Sequence, residues 1–199
     1  MTTIQGTAGA PPALAYVPGT GSGQRPMRLM VLLHGAGGQA ERSVNWLRPF
    51  ADAGRLLLLA PKSMQATWDV IREGYGPDVR NIDRLLSTVT TDYPINSYGV
   101  AGFSDGATYS LSLGLGNGDV FDSVIAFSPG FSAAQLRVGR PRFFVSHGTE
   151  DPVLPIERCS RRIVPALEEF GYDVTYREFP GGHEVPSQIM KSAADWLGK

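Results

Sequence analysis

The stretch Gly102-Phe103-Ser104-Asp105-Gly106 decides how the rest of this 199-residue sequence is interpreted. The four residues before it are mostly small and apolar, as a central β-strand requires, and the residues after it have helical spacing. Glycines on both sides of a serine let the backbone turn sharply from a strand into a helix without clashes of Cβ atoms. The pattern therefore predicts a tight turn that presents the Ser104 hydroxyl.

Apolar runs alternate with helical patterns on both sides of this turn. The predicted strands are residues 13–18, 29–33, 56–60, 98–101, 123–129, 142–148 and 174–180, and the predicted helices are 44–51, 79–89, 107–113, 156–170 and 186–197. This alternation predicts an α/β fold, with a mostly parallel central sheet and helices on both faces. We expect Pro165 to kink its helix, and residues 62–77 to be irregular. Ligands of such sheets bind at the carboxyl ends of the strands.

The composition predicts a single domain over residues 1–199, in which 42% hydrophobic residues build the core and residues 1–12 are a flexible start. A net charge of -1 provides no basic surface for phosphates, so we expect no nucleic-acid partner and no stable membrane association. One cysteine, Cys159, cannot form an internal disulfide, and the first residues do not have a signal-peptide pattern. We therefore expect a cytoplasmic protein.

A serine nucleophile needs a base to take its proton and an acid to orient that base. In enzymes with this kind of turn, the acid and then the histidine follow the serine along the chain. His183 comes after two glycines in the loop that follows the last predicted strand, and Asp151 lies in the preceding strand-end loop. We therefore predict Ser104, Asp151 and His183 as the catalytic set.

Other residues offer alternatives for these roles. Glu150 and Asp122 are fallback acids, although neither is as well placed as Asp151. His34 and His147 also lie at strand ends, where a histidine more often serves as a satisfied hydrogen-bonding residue than as a catalyst. Cys159 falls in a predicted helix away from the strand ends, which disfavours a cysteine nucleophile.

The charge that develops on an attacked carbonyl requires two preset N–H donors. The backbone N–H groups of Asp105, after the nucleophile, and Ala36, in the loop after an earlier strand, fit this oxyanion hole. Residues 35–40 also match the dinucleotide-binding pattern G-x-G-x-x-A. The next strand ends in Ala60-Pro61-Lys62, where a ribose-binding Asp or Glu would be expected, so the pattern favours an oxyanion loop.

Four motifs in the right order resemble the phospholipase/carboxylesterase family of α/β-hydrolases, whose best-known members resemble acyl-protein thioesterases. They are Leu32-Leu-His-Gly-Ala-Gly-Gly, Gly102-Phe-Ser-Asp-Gly, His147-Gly-Thr-Glu-Asp-Pro-Val and Gly181-Gly-His-Glu-Val-Pro, and the resemblance covers roughly Met30 to Leu197. The resemblance implies an α/β-hydrolase fold and the same site residues: Ser104 as nucleophile, Asp151 and His183 as its partners, and oxyanion donors at Ala36 and Asp105.

The chain departs from the thioesterase-like members directly after the nucleophile, where they carry Gln and this chain carries Asp105. A carboxylate at this position would oppose a forming oxyanion. We therefore predict a hydrogen bond or a charged partner that holds the Asp105 side chain away from it. Residues 130–141 leave no room for a cap domain, so we expect an open pocket. The residues predicted for its wall are Trp68, Tyr75, Phe131, Val153 and Leu154.

These features together predict a serine carboxylesterase that hydrolyses small to medium carboxylic esters through an acyl-enzyme. The expected partner is a small-molecule ester, and the chemistry requires no cofactor and no metal. A thioesterase or a peptidase would use the same triad, and a ligand-binding protein that has lost turnover is a third interpretation. The sequence predicts no oligomeric state.

Overall fold

A computed structural model describes residues 1–19, 25–72 and 74–199 of the chain. The strands are β1 (Thr2–Ile4), β2 (Ala13–Tyr16), β3 (Met27–Leu33), β4 (Leu56–Ala60), β5 (Ile95–Phe103), β6 (Ser123–Phe127), β7 (Arg142–Gly148) and β8 (Val174–Phe179). They form one sheet in the order β1-β2-β4-β3-β5-β6-β7-β8. The six strands from β3 to β8 run parallel, which confirms the predicted sheet.

The register brings the ends of the central strands to one edge of the sheet. Leu33 of β3 is opposite Gly102 of β5, and Phe103 of β5 is opposite Phe127 of β6. The loops that follow β3, β5, β7 and β8 therefore leave the sheet on the same side. These loops carry the residues predicted to be catalytic.

An antiparallel pair extends the sheet at one end. β1 pairs with β2, and β2 pairs with β4. β1 lies within residues 1–12, which we predicted to be flexible, so part of that segment is an edge strand. Its three residues are too few to give a pattern in the sequence, and its pairing with β2 forms it.

Five helices cover both faces of the sheet. They are α1 (Ala40–Gly54), α2 (Pro77–Asp92), α3 (Asp105–Gly116), α4 (Ser160–Glu169) and α5 (Ser187–Leu197). α1 and α5 pack on one face, where Leu47 and Trp196 join Ile125 of the sheet. α2, α3 and α4 pack on the other face. Each helix places its apolar stripe against the sheet, which is buried on both sides.

The helix predicted over residues 156–170 is interrupted earlier than expected. A short 3-10 helix spans Ile156–Arg158, the chain breaks at Cys159 (φ -116°, ψ -104°), and α4 then continues through Pro165. Pro165 therefore does not mark the break. The interruption coincides with a tertiary contact, in which the Ser160 hydroxyl lies 2.6 Å from Nδ1 of the buried His147.

The chain forms a single small domain, and its described residues include no separate cap. The connection from β6 to β7 contains no helix, as predicted, and residues 62–72 and 74–76 are irregular apart from a 3-10 helix at Asp69–Ile71. None of the helices in the described ranges is long and apolar enough to cross a membrane. Within the described residues, only loops such as the one around Ser104 therefore lie over the carboxyl edge of the sheet.

Candidate active site

Ser104 lies at the turn between β5 and α3 in a backbone conformation that few residues other than glycine adopt. Its φ is 57° and its ψ is -121°, and such conformations cost of the order of 1–3 kcal/mol unless the surrounding structure fixes them. The Ser104 N–H donates to the carbonyl of Phe127 at 2.9 Å. A Cβ on Gly102 would lie 2.1 Å from the carbonyl oxygen of Gly106, and one on Gly106 would lie 2.1 Å from that of Leu33. The turn therefore requires both glycines.

Ser104, His183 and Asp151 form one hydrogen-bonded line. His183 Nε2 lies 2.9 Å from Ser104 Oγ, and His183 Nδ1 lies 2.6 Å from Asp151 Oδ2. Because an ionised carboxylate can only accept, Nδ1 carries the proton and Nε2 is left to accept from the serine hydroxyl. The three residues come from different loops, after β5, β7 and β8. This is the geometry in which a histidine can take a proton from a serine.

Asp151 is a buried carboxylate with partners on both oxygens. Its Oδ1 accepts the backbone N–H groups of Val153 and Leu154, at 2.9 and 2.8 Å, and its Oδ2 faces His183. Burial acts to raise the pKa of Asp151, but the N–H donors and the His183 ring outweigh it and hold the pKa below its ordinary value. Asp151 is therefore ionised at neutral pH and can stabilise a charged imidazole.

His147 contacts the same carboxylate, which the sequence analysis did not predict. Its Nε2 lies 2.8 Å from the carbonyl oxygen of Leu154 and 3.2 Å from Asp151 Oδ2. Both neighbours are acceptors, so Nε2 carries the proton and Nδ1 accepts from the Ser160 hydroxyl. Burial lowers the pKa of His147, although the Leu154 carbonyl and Asp151 favour the charged form. The ring is therefore a neutral, satisfied histidine that also touches Asp151.

The alternative acids and the cysteine lie in other surroundings. Asp122 forms an ion pair with Arg28 just before β6 begins, at the sheet edge opposite the catalytic loops. Glu150 is exposed, and its backbone N–H donates to the carbonyl of Gly181. Burial raises the pKa of the Cys159 thiol, and Asp151 adds to this effect, so the thiol is protonated at neutral pH.

The backbone N–H groups of Ala36 and Asp105 are available beside the nucleophile. Asp105 follows Ser104 directly, and the loop 34–38 approaches the serine so closely that a Cβ on Gly35 would lie 3.2 Å from Ser104 Cβ. Within the described ranges, neither N–H donates to a protein acceptor. Two unpaired donors next to a serine are what an oxyanion hole requires. The G-x-G-x-x-A pattern thus belongs to a loop that flanks Ser104.

His34 anchors this loop to the irregular segment 62–68. Its Nε2 accepts the Ser63 N–H at 3.1 Å, so its Nδ1 carries the proton and donates to the carbonyl of Gly35 at 2.7 Å. The Trp68 indole N–H donates to the carbonyl of His34 at 2.7 Å. Burial lowers the pKa of His34, with the Gly35 carbonyl opposing it and Lys62 adding to it, so the ring is neutral. His34 therefore has the bonding role that its sequence position favoured.

The Asp105 side chain has the partner that the sequence analysis predicted. Its Oδ2 accepts a hydrogen bond from the Thr67 hydroxyl at 2.5 Å. Thr67 lies in the irregular segment 62–68, where no sequence pattern indicates which residue would bind the carboxylate. This contact orients the side chain while the backbone N–H of Asp105 stays unpaired.

The five residues predicted as one pocket wall are not brought together. Trp68 is buried in the core, where its ring stacks on Tyr109 with centroids 5.4 Å apart. Tyr75 lines a cavity of about 340 Å³ beside the far end of α3, with Leu113 and Leu136. The wall prediction was therefore wrong for both residues, because Trp68 is needed in the core and Tyr75 reaches the helix end away from Ser104.

Of the other three residues, Leu154 lies near Gly130, the chain neighbour of Phe131, since a Cβ on Gly130 would be 3.6 Å from Leu154 Cδ2. Phe131 lines a groove between α3 and α4. The Val153 side chain is exposed, and Val153 and Leu154 contact Asp151 through their backbone N–H groups. The backbone N–H groups of Val153 and Leu154 therefore bind the Asp151 carboxylate. The hydrophobicity of the two side chains could not predict this contact.

The cavity that borders His183 has a different lining. It measures about 200 Å³ and is formed by the loop after β3, by α1 and by the loop after β8. Trp46 and Phe103 supply aromatic surface, and the ring of Phe103 lies 4.6 Å from that of His183. Trp46 was not predicted, because a tryptophan within the predicted helix 44–51 packs in the core as readily as it lines a cavity. Across the described residues, no three His, Cys, Asp or Glu side chains are grouped as a metal site requires.

Solved structures share this fold over nearly the whole chain. An S-formylglutathione hydrolase from Staphylococcus aureus has a TM-score of 0.79 at 14% identity, covering 100% of this chain and 99% of its own. A phospholipase/carboxylesterase from Dyadobacter fermentans has a TM-score of 0.67 at 22% identity, covering 100% and 99%. Esterase PE8 has a TM-score of 0.73 at 19% identity, covering 99% and 98%. At these identities the similarity establishes the fold.

Sequence comparison establishes the family. A search among curated proteins found no match. The model of the family described as Phospholipase/Carboxylesterase matches residues 79–199, which is more than half of the chain and includes Ser104, Asp151 and His183. The chain therefore belongs to the phospholipase/carboxylesterase family of α/β-hydrolases.

Proposed function

We propose that the protein is a serine carboxylesterase that hydrolyses small to medium carboxylic esters through an acyl-enzyme intermediate. The observation that carries this proposal is the hydrogen-bonded line from Ser104 through His183 to Asp151. Membership of a hydrolase family supports the class of reaction. The proposed substrate is a small-molecule ester, and the steps below use no cofactor.

Acylation begins when Ser104 Oγ attacks the carbonyl carbon of the ester and its proton passes to His183 Nε2. The carbonyl oxygen becomes an oxyanion, which the N–H groups of Ala36 and Asp105 stabilise. The bond from carbon to the alcohol oxygen then breaks, and His183 returns the proton to that oxygen. The alcohol leaves, and the acyl group remains as an ester on Ser104.

Deacylation repeats these steps with water as the nucleophile. His183 Nε2 takes a proton from the water as its oxygen attacks the acyl carbon, and the same two N–H groups stabilise the second oxyanion. The bond to Ser104 Oγ breaks, the serine recovers its proton from His183, and the carboxylic acid is released. Asp151 stays ionised throughout and stabilises the charged His183 ring.

The cavity beside His183 supports a small to medium substrate. Its volume of about 200 Å³ lies below the 300–1,000 Å³ of typical pockets for drug-sized ligands. The leaving alcohol must lie next to His183 Nε2 to receive its proton, and this cavity borders the same ring. We therefore assign the aromatic surface of Trp46 and Phe103 to the alcohol side of the ester.

A fluorophosphonate tests the nucleophile directly, because it forms a covalent adduct with an activated serine. Intact-mass measurement should show one added label per chain, and the Ser104→Ala variant should show none. Ser128→Ala is a matched control, since Ser128 follows β6 at the same sheet edge and also has a positive φ of 50°. Labelling that persists in Ser104→Ala, or disappears in Ser128→Ala, would remove Ser104 from the proposed role.

The leaving group requires a separate measurement, because the same triad can cleave thioesters and amides. Rates should be compared on the ester, thioester and amide of one acyl group, with Ser104→Ala as the background. We expect the highest kcat/KM for the ester. A faster thioester or amide reaction would replace the carboxylesterase assignment, and no turnover of any of the three would favour a ligand-binding protein.

A further inference from the structure

A groove of about 310 Å³ lies between α3 and α4, apart from the cavity beside His183. Its floor is apolar and includes Leu115 near the end of α3 and Leu167 of α4, both of them buried. It extends from Gly130, which follows β6, to Phe170, which follows α4. The groove therefore runs from the catalytic edge of the sheet along the outside of the domain.

The sequence around α4 gives this groove a repeating lining. Arg162 and Ala166 are four residues apart, so they lie on one face of α4, and both line the groove. Arg158, in the 3-10 helix before the break at Cys159, and Phe170, directly after α4, line the same groove. Leu167, one position after Ala166, is buried. Two arginines therefore lie at the end of the groove where α4 begins, and an aromatic ring lies at the end where α4 stops.

Three arginines line the groove, and none of its lining residues within the described ranges is acidic. Arg137 lies with its Cζ 3.5 Å above the centre of the Phe170 ring. Within the described ranges, neither Arg158 nor Arg162 forms an ion pair, and the nearby Glu157 binds Arg161 instead. In a chain of net charge -1, Arg158 and Arg162, which have no carboxylate partner among the described residues, form a local concentration of positive charge.

Two large aromatic side chains at the groove are exposed to solvent. Phe131 is 44% exposed and Phe170 is 46% exposed. Exposed apolar surface that is bordered by charged residues is typical of binding sites. The groove volume is at the lower end of the range for small-ligand pockets, so its size suits a single short chain.

We propose that the groove between α3 and α4 binds a medium-chain alkyl carboxylate. The alkyl chain lies along Leu115 and Leu167, and the carboxylate is bound by Arg158 and Arg162. Guanidinium groups form strong, charge-assisted hydrogen bonds with carboxylates. This ligand belongs to the class of product that the proposed esterase releases, but the assignment rests on the groove alone.

Binding can be measured by calorimetry on the full chain after the active-site serine has been blocked with a fluorophosphonate. Octanoate is the probe, and octanol and octylammonium are neutral and cationic probes of the same length. We expect octanoate to bind about 10-fold more tightly than octanol, because charged hydrogen bonds are worth at least that factor. We expect no measurable binding of octylammonium. Octyl phosphate separates a phosphate preference from a carboxylate preference, and tighter binding of the phosphate would overturn the carboxylate assignment.

Two variants test whether octanoate binds in this groove. The double variant Arg158→Gln, Arg162→Gln should lose about 10-fold in octanoate affinity and leave octanol binding unchanged. Its matched control is Arg80→Gln, Arg84→Gln, which removes two exposed arginines at the same spacing on α2. Ala166→Trp keeps all charges but fills the groove, and it should abolish binding with an unchanged thermal unfolding midpoint.

Three further results would overturn the proposal. The first is equal affinity for octanoate and octanol, and the second is unchanged octanoate affinity in Ala166→Trp. The third is a dimer in light scattering that Ala166→Trp converts to a monomer, since a second copy of the chain would then occupy the groove. Because no step measures hydrolysis, failure here leaves the esterase proposal intact, and failure of that proposal leaves this one testable.

Discussion

His147 and His183 contact the same oxygen of Asp151, yet the two rings have different surroundings. His183 Nδ1 lies 2.6 Å from that oxygen and its side chain is 14% exposed, whereas His147 Nε2 lies 3.2 Å away and its side chain is 0% exposed. The second nitrogen of His183 faces Ser104, and the second nitrogen of His147 is occupied by the Ser160 hydroxyl. The environment of the second ring nitrogen therefore distinguishes a histidine that can act as a base from a buried histidine that supports Asp151.

This difference explains why two histidines can share one acid. A base must exchange its proton with the substrate, so one nitrogen has to face the reacting groups. The buried His147 cannot do this, but it donates to the Leu154 carbonyl in the loop that supplies the Asp151 donors. We infer that His183 is the base and that His147 positions the loop around Asp151.

Replacing His183 should have the largest effect on activity, and it distinguishes the role of His183 from that of His147. His183→Gln should lower kcat on the order of 10⁶-fold, the loss found when a triad base is removed from a serine enzyme. The measurement is steady-state hydrolysis of an activated ester, with His147→Gln assayed in parallel. If His147→Gln lost as much activity and His183→Gln stayed active, the two assignments would have to be exchanged.

Replacing the shared acid should have the second-largest effect. Asp151→Asn leaves a side chain of the same shape, but its amide no longer provides the charge and can hold the His183 ring in the wrong tautomer. We expect kcat to fall about 10⁴-fold while the protein stays folded. The rate of fluorophosphonate labelling should fall in parallel, and labelling at the native rate would contradict a role for Asp151 in activating Ser104.

The sequence could predict that Ser104, Asp151 and His183 meet, because the position of each depends on chain order and strand ends. A strand end is fixed by the apolar run before it, and parallel strands bring their ends to one edge. Thr67, which binds Asp105, lies in an irregular segment whose path has no periodicity. The contact between His147 and Asp151 had a signal, since His147 near the end of β7 and Asp151 in the following loop are four residues apart, but that spacing alone gives no role.

The substrate surface could not be predicted in the same way. Large apolar residues such as Trp68 fill the core as readily as they line a pocket, and hydrophobicity does not separate the two uses. The groove arginines were missed for a related reason. Their spacing by four is visible in the sequence, but the absence of carboxylate partners depends on side chains from other elements.

A smaller effect is expected from His147 itself. His147→Gln keeps a side chain that can donate and accept hydrogen bonds, so the loop around Asp151 should shift only slightly. We expect kcat to fall roughly 10- to 100-fold with little change in KM, because small displacements of catalytic groups lower the rate by such factors. Ser160→Ala should have a weaker effect in the same direction, because it removes the partner of Nδ1. An unchanged kcat in His147→Gln would show that the ring only fills the core.

The smallest effect that we expect from replacing His147 is on how the free energy of unfolding depends on pH. Because burial lowers the pKa of His147 in the folded protein, the unfolded chain binds a proton first as the pH falls below about 6.5. The folded protein should therefore lose stability between pH 6.5 and 5, by up to about 1.4 kcal/mol per pH unit for this group. His34, whose pKa is also lowered by burial, adds to the same slope.

His147→Gln should therefore flatten the stability curve over this range without removing the slope that His34 contributes. Asp151 does not interfere, because its lowered pKa places its contribution below its ordinary value of 3.8, where stability is lost as the carboxylate becomes protonated. Urea unfolding of the native protein and the variant at pH 7, 6 and 5 measures the difference. A variant that loses as much stability on acidification as the native protein would mean that His147 is protonated in the fold, and its assignment as a neutral support for Asp151 would be wrong.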